Sequence, residues 1–414
     1  MSNGSASIKM LEALRCSLYE KKVQWNMEME PDEWRKIFCL CYGQNILPMV
    51  YDAVYKCSAF QSVPGDFNRM IKQQVIRQVT IQHHKTEEFL VVYEKLLEAG
   101  LTPVIVKGII CRNLYAQPDY RCSSDEDILI PENQFRDCHE VLKSLGLRPA
   151  SSESDTERQS EVSYNRDGGV LHLELHKTLF PPESEAYGEL NQMFDHVFER
   201  KITVNIKGVP VYTLDHTDHM LYLILHAFKH FLHSGFGIRQ VCDMILFADA
   251  YGKEIDWKYI RRSCGQIHAE TFTAALFDIG KRELGFEPAG AGFPEDWSAD
   301  GRDLLEDLIA GGVFGNSSLS RRHSSNMTLE AFEKGKNGKK TNTSLMRSVF
   351  PNRKYMERSY RYLRRYPFLL PAAWIGRIWK FITVSRKKRG EGVRESIAIG
   401  NQRVELLKKY KVIQ

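Results

Sequence analysis

Two aspartates, Asp125 and Asp127, are separated by a single residue in the segment from Ser124 to Ile130, and this spacing constrains the fold most. The segment is short, ends in apolar residues and is stopped by Pro131, which is typical of a β-strand. Side chains on a strand point alternately to opposite faces, so both carboxylates project from the same side. Such a pair either binds a divalent cation, accepts hydrogen bonds, or is solvated at a strand end, because the two charges otherwise repel.

The residues before the aspartates are typical of a phosphate-binding turn. The apolar run 101–108 ends in Lys107-Gly108, and residues 109–116 predict a helix. A strand that passes through Lys-Gly into a helix leaves backbone N–H groups free at the helix N-terminus, where a polyphosphate binds. Arg121, four residues before the first aspartate, adds a second phosphate-binding group.

A third carboxylate lies on a later predicted strand. Two extended segments, 163–166 and 170–179, flank the turn residues 167–169 (Asp-Gly-Gly), which predict a hairpin. Along the second segment, leucines at alternate positions share one face. The other face carries Val170, His172, Glu174 and His176. If the leucines face the core, Glu174 can face the two aspartates, although a carboxylate between two histidines is also compatible with an ordinary polar face.

This arrangement resembles the nucleotidyltransferase superfamily of DNA polymerase β, in which a glycine turn, an Asp-x-Asp strand and a later carboxylate build a two-magnesium site. Within it, the chain is most similar to the bacterial family called uncharacterised nucleotidyltransferase. The segments that carry the resemblance are Val106-Lys-Gly108, Leu114-Tyr115, residues 121–130, Glu174-Leu-His176, and the helical segment His226 to Asp243 that ends in Ile255-Asp-Trp257. One position departs from the superfamily, because Ile109 stands where a second small residue is usual.

The resemblance implies an α+β fold and the transfer of a nucleoside monophosphate from a nucleoside triphosphate, such as ATP, to an acceptor, with release of pyrophosphate. Asp125, Asp127 and Glu174 would bind two Mg²⁺ ions, and Glu174 would act as the base for a hydroxyl acceptor. The residues expected to contact the nucleotide are Lys107, Gly108, Arg121 and Ser124. The acceptor stays open between a sugar or other small molecule, a protein side chain and, less favoured, a nucleic acid end.

A helix after the sheet carries histidines at helical spacing, so three of them share one side. They are His226, His230 and His233. The resemblance puts the first two, together with His176 and Arg239, on the substrate side of the cleft. Two alternatives remain: the histidines can be hydrogen-bonded packing residues, and Asp243, four residues after Arg239, can be the partner of that arginine.

Hydrophobic periodicity divides the chain into three predicted regions. Residues 1–100 form an N-terminal helical region, 101–215 the mixed-sheet nucleotidyltransferase core, and 216–414 a C-terminal helical region with a basic tail. The segment 151–159 is so hydrophilic that it predicts a loop that does not pack.

Charge is unevenly distributed along the chain. Residues 347–414 contain 18 Lys and Arg against 4 Glu and no Asp, which gives +14, so the other 346 residues carry +5 − 14 = −9. Such a tail can attract nucleic acid, anionic lipid or a polyphosphate substrate, or it can pack on the acidic body of its own chain. Within it, residues 374–381 are amphipathic and precede the basic run 386–389, which fits either an anionic membrane surface or a solvated helix end.

Cysteine spacing and apolar stretches bear on location. Nine cysteines without a Cys-x2-Cys pair argue against a disulfide framework and a structural zinc site, so a reducing cytoplasm fits best. We expect no signal peptide and no transmembrane segment. Two alternatives to an active enzyme remain: a catalytically inactive binding module with the nucleotidyltransferase fold, and a protein that binds nucleic acid or a surface through its basic tail.

Overall fold

The computed structural model describes residues 3–312, 360–387 and 393–413, together with isolated positions between 313 and 359. Its fold is α+β, which confirms the predicted class: helices flank a mixed sheet of seven strands. The strands are β1 (Val104–Ile105), β2 (Glu126–Leu129), β3 (Arg148–Pro149), β4 (Glu161–Asn165), β5 (His172–His176), β6 (Ile202–Ile206) and β7 (Val209–Thr213).

Helices precede the sheet, connect its strands and follow it. Those before the sheet are α1 (Asn3–Leu18), α2 (Pro31–Gln44), α3 (Leu47–Val54), α4 (Ser58–Gln61) and α5 (Gly65–Glu98). Those between strands are α6 (Gly108–Arg112), α7 (Phe135–Ser144), α8 (Glu153–Thr156) and α9 (Val197–Arg200). Those described after the sheet are α10 (His216–Leu232), α11 (Arg239–Tyr251), α12 (Trp257–Gln266), α13 (Glu270–Glu283), α14 (Arg302–Gly311), α15 (Leu370–Lys387) and α16 (Val393–Lys409).

Strand β2, which carries the second aspartate, lies in the middle of the sheet. The strand order is β3-β4-β5-β2-β1-β7-β6, with β2 parallel to β5 and antiparallel to β1. In the parallel pair, Asp127 is opposite Glu174. Partners in such a ladder share a face of the sheet, so the register itself brings the two carboxylates together.

The opposite face of the sheet packs on α5 and α7. Phe89 and Tyr93 of α5 and Leu142 of α7 belong to one apolar cluster with the inward residues of β2 and β5. Leu173 and Leu175 are fully buried in it, so the leucines of β5 do face the core. The alternate residues of β5, which are His172, Glu174 and His176, therefore lie on the other face of the sheet.

Helix α16, in the basic tail, packs against the body through one side. The Arg403 guanidinium is buried, donates hydrogen bonds to the backbone carbonyls of Phe231 and His233, and lies 3.7 Å from Asp307. Lys409 forms a 2.5 Å ion pair with Asp303. The sequence leaves open whether the tail binds nucleic acid, lipid or a polyphosphate, or packs on its own chain. This part of the tail packs on its own chain. No helix in the described residues is long and apolar enough to cross a membrane.

Two local predictions were wrong. The segment 151–159 is not an unpacked loop, because it contains α8, and Thr156 is buried with its hydroxyl donating to the Ser152 carbonyl at 3.0 Å. The helix predicted for 109–116 spans only Gly108–Arg112. Beyond Asn113, the N–H groups of Leu114 and Tyr115 bond three rather than four residues back, which tightens the chain into a turn. The division into regions 1–100, 101–215 and 216–414 stays a prediction, and the larger apolar core contains residues from all three.

Candidate functional site

The centre of the site is a group of three side chains on neighbouring strands. Asp127 on β2 and Glu174 and His176 on β5 each offer one ligand atom, and these atoms lie within 4.8 Å of one another. Asp127 is only 4% exposed, whereas Glu174 is half-buried. Alternation along β5 predicts Glu174 beside the aspartate. It also puts His176 there, although the family resemblance assigns His176 to the substrate side of the cleft.

The surroundings of Asp127 stabilise its negative charge. Its Oδ1 lies 3.3 Å from His176 Nε2, and its Oδ2 lies 3.7 Å from the Lys107 ammonium. Burial alone would raise the pKa of Asp127, but Lys107 and His176 together lower it below its ordinary value. Oδ2 is buried and has no hydrogen-bond partner. A buried carboxylate oxygen left in this way is the atom that a bound cation would satisfy.

Asp125 lies immediately before β2 and is half-buried. Burial, and next the charge of Asp127, raise the pKa of Asp125; Lys107 and Arg239 oppose this in part, and Glu174 adds to the repulsion. The two aspartates thus differ, because Lys107 and His176 outweigh burial at Asp127, whereas at Asp125 burial and the neighbouring carboxylates outweigh Lys107 and Arg239. A divalent cation would relieve this repulsion.

Lys107 connects the acidic group to helix α10. Its ammonium lies 3.1 Å from His226 Nε2 as well as near Asp127. Because an ammonium only donates, Nε2 accepts, and the Nδ1–H of His226 can donate to Gln240 Oε1 at 3.4 Å. His226 and His230 lie side by side, with ring centroids 4.5 Å apart. Burial, and then Lys107, lower the pKa of both rings, to about 3 for His230, so both are neutral at physiological pH.

Glu126, the residue between the two aspartates, leaves no space for a side chain at Gly108. The φ of Gly108 is +37°, and a methyl group built on it would overlap Oε2 of Glu126 and lie 3.0 Å from its Cδ. That same Oε2 accepts the N–H of Ile109 at 2.9 Å. The sequence predicts that the N–H groups at this helix N-terminus are free to bind phosphate. That is wrong for the N–H of Ile109, because it donates to the Glu126 carboxylate.

Glu126 itself was missed at the sequence level. It is fully buried and forms a 2.7 Å ion pair with Arg112, which is equally buried. The alternation that puts the aspartates on one face puts Glu126 on the other, facing the core, so a charged residue at that position indicated a buried partner.

Three helices outside the sheet hold the loop that delivers Asp125. The ammonium of Lys85 on α5 donates to the carbonyls of Ser123 and Ser124 at 2.7 and 2.9 Å. The carbonyl of Cys122 accepts from Asn45 at the end of α2 and from Arg239 at the start of α11. Successive carbonyls before Asp125 are thus all fixed, which determines where its carboxylate lies. The predicted contact between the Ser124 hydroxyl and the nucleotide stays a prediction.

Arg121 does not lie where a phosphate ligand was expected. Its guanidinium is fully buried and pairs with Asp243 through two hydrogen bonds of 2.6 and 2.5 Å. Tyr115 donates a third hydrogen bond to the same carboxylate at 2.8 Å. The partner of Asp243 is therefore Arg121 rather than Arg239. Since Arg121 is enclosed by these groups, its position fits a role in packing α11 against the aspartate loop.

The match to known proteins covers more than this site. A family model described as uncharacterised nucleotidyltransferase matches residues 30–282, over half of the chain. The matched region contains the three-residue group, its Lys107 neighbour and also Asn45 and Lys85, which hold the aspartate loop from outside the sheet. No curated protein and no solved structure shows a significant match. The chain belongs to the uncharacterised nucleotidyltransferase family.

Proposed function

We propose that the protein transfers a nucleoside monophosphate from a nucleoside triphosphate, such as ATP, to an acceptor and releases pyrophosphate. The observation that carries the proposal is the group of Asp127, Glu174 and His176 beside Lys107, within the region that matches the family. Carboxylates next to a cationic side chain suit the two parts of a metal–triphosphate complex, since the metal needs oxygen ligands and the phosphates need positive charge.

The residues present fit Mg²⁺. Asp127 and Glu174 supply oxygen ligands, and Oδ2 of Asp127 is buried without a hydrogen-bond partner, so it can accept a metal ion. Asp125 is not one of the three grouped residues, but its carboxylate interacts with the charges of Asp127 and Glu174 and would supply a third oxygen ligand. Two Mg²⁺ ions held there would activate the attacking group and neutralise charge on the triphosphate. His176 is a nitrogen donor, which suits Mg²⁺ less well than oxygen. We therefore assign His176 to orienting Asp127, with which it is hydrogen-bonded.

The cationic side of the site would receive the triphosphate. Lys107 lies within reach of both the acidic group and α10, so its ammonium would bind the phosphates that leave as pyrophosphate. Glu174, which is half-buried, would take the proton from an acceptor hydroxyl. The neutral ring of His226 contacts Lys107, and that of His230 lies beside it; both would position the acceptor or a phosphate through hydrogen bonds.

Arg239 has a narrower role in this proposal. Its guanidinium donates to the Cys122 carbonyl, and its buried Nε has no hydrogen-bond partner. Burial, and then the charge of Arg121, lower its pKa. Arg239 would therefore fix the loop before Asp125 and add positive charge behind it, without a direct contact to the substrate.

The experiment is pyrophosphate release from each of the four common ribonucleoside triphosphates with Mg²⁺, using cell extract as the source of acceptor. We expect release with at least one nucleotide, and its loss when Mg²⁺ is removed or in Asp127→Asn. Asp167→Asn is the matched control, because Asp167 lies in the β4–β5 turn and its side chain is 83% exposed.

Two results would contradict the proposal. Equal release by Asp127→Asn and by the wild type would place the chemistry elsewhere. Binding of a nucleoside triphosphate without pyrophosphate release, across small-molecule, protein and nucleic acid fractions of the extract, would instead support the inactive binding module.

A further inference from the structure

Exposed apolar side chains are concentrated in one short stretch near α15. Phe368 is 74%, Ile375 67% and Trp379 69% exposed, and two tyrosines, Tyr362 and Tyr366, are 40% and 42% exposed. Ile375 and Trp379 are four residues apart on α15 and therefore lie on one side of it. Phe368 lies in the turn just before that helix. Grouped exposure of this kind marks an interaction surface, whereas single exposed apolar residues do not.

The side of α15 that carries Ile375 and Trp379 is largely exposed, whereas another side is buried. Ala373 is fully buried in a small cluster with Met356 and Leu363, and Trp374 packs against the same cluster. Helix α15 is thus held by one side and presents Ile375 and Trp379 on another. Such a helix can offer its apolar side to a partner without unpacking from the chain.

The positive charge of the same stretch favours an anionic partner. Residues 358–390 contain 10 Lys and Arg and no Asp or Glu. Of these, Arg365 is exposed beside Tyr366, 5.7 Å from its ring, whereas the run 386–389 extends beyond the described residues. Aromatic and aliphatic groups next to a dense positive charge are the combination that binds an anionic lipid surface, where rings enter the headgroup region and cations meet the lipid phosphates.

We infer that the segment 360–387 docks the protein on an anionic membrane surface, with α15 lying in the plane of the lipid headgroups. Nucleic acid fits less well, because an exposed isoleucine neither stacks on bases nor binds phosphate, whereas it can enter the acyl region. Because α15 would lie in the plane of the headgroups, the association would be peripheral and reversible. The inference does not depend on the proposed nucleotidyl transfer.

The test is co-sedimentation of the full chain with vesicles of phosphatidylcholine alone and of phosphatidylcholine mixed with phosphatidylglycerol. We expect binding to the anionic vesicles only, weakened by high salt. Ile375→Ser/Trp379→Ser should weaken this binding by about tenfold or more, because two exposed apolar anchors are removed. The control is Ile8→Ser/Tyr42→Ser, whose side chains are each 66% exposed on α1 and α2, and it should bind like the wild type.

Three results would overturn the inference: no binding of the wild type to anionic vesicles, equal binding by the Ile375→Ser/Trp379→Ser variant, or equal weakening by the control. Circular dichroism of each variant checks its fold. If the test variant does not fold, fluorescence quenching of the wild type by brominated phosphatidylglycerol replaces it, and unquenched emission refutes insertion. If the wild type binds single-stranded RNA but not vesicles, and the Ile375→Ser/Trp379→Ser variant loses the RNA binding, the surface binds nucleic acid instead.

Discussion

Removal of the buried partner of Asp243 should be one of the most destabilising single changes in this protein. Arg121 donates two short hydrogen bonds to that carboxylate, and both side chains are at most 2% exposed. Arg121→Met leaves the carboxylate buried with only Tyr115 as a donor. Breaking a buried pair by removing one member costs about 3–5 kcal/mol, which is a large part of the roughly 5–15 kcal/mol by which a protein is stable.

A second substitution separates lost charge from lost packing. In Arg121→Met/Asp243→Leu neither member of the pair is left buried without the other, so most of the stability should return, apart from about 1 kcal/mol for the Tyr115 hydroxyl that loses its acceptor. Arg69→Met is the control, because its ion pair with Asp66 joins side chains that are 71% and 95% exposed. Such a pair contributes less than about 1 kcal/mol.

The assay is urea unfolding of the full chain followed by circular dichroism, with nucleotide affinity measured on the folded double variant. If Arg121→Met is no more destabilising than Arg69→Met, the reasoning about this pair is refuted. If the double variant is stable but binds nucleotide many-fold more weakly than the wild type, Arg121 contacts the triphosphate after all.

Three further outcomes follow from the site. Gly108→Ala should lower stability by about 2–4 kcal/mol in urea unfolding, because a methyl group displaces the Glu126 carboxylate and an alanine is forced to positive φ; unchanged stability would contradict this. Lys85→Met should lower kcat by about tenfold or more, with a smaller change in nucleotide KM, because the carbonyls before Asp125 lose their donor; an unchanged kcat would show that the loop holds without it. Burial lowers the pKa of His219 to about 3, below its value of about 6.5 in the unfolded chain. The free energy of unfolding should therefore be highest above pH 6.5 and fall by up to about 1.4 kcal/mol per pH unit as the pH drops towards 3. His219→Gln should reduce that slope in urea unfolding, and an identical slope would refute the assignment.

The sequence predicts those parts of the site that depend on local periodicity. Alternation along β5 places Glu174 opposite the core leucines, and the parallel register with β2 then puts it beside Asp127. Helical periodicity from residue 64 to residue 98 predicts one long helix, and α5 spans Gly65–Glu98, because so long a run of one pattern leaves little room for another structure.

The partners of the buried charges could not be predicted in this way. Arg121 and Asp243 are 122 residues apart, and Lys85 reaches Ser123 from a helix in another region of the chain. Which of several cations meets a given carboxylate depends on how the helices pack, and no short-range pattern records that. For the same reason Arg239, four residues from Asp243, does not pair with it, although helical spacing would allow the contact.

The central claim, that Asp127 and its neighbours hold a divalent cation, is tested most directly by titrating Mn²⁺ into the protein and following its electron paramagnetic resonance signal. The wild type and Asp167→Asn should bind Mn²⁺ alike, whereas Asp127→Asn should lose most of this binding, because it lacks the negative charge and the buried Oδ2, which has no hydrogen-bond partner in the wild type. If Asp127→Asn binds Mn²⁺ as tightly as the wild type, or if the folded wild type binds none with a nucleoside triphosphate present, the acidic group is not a metal site.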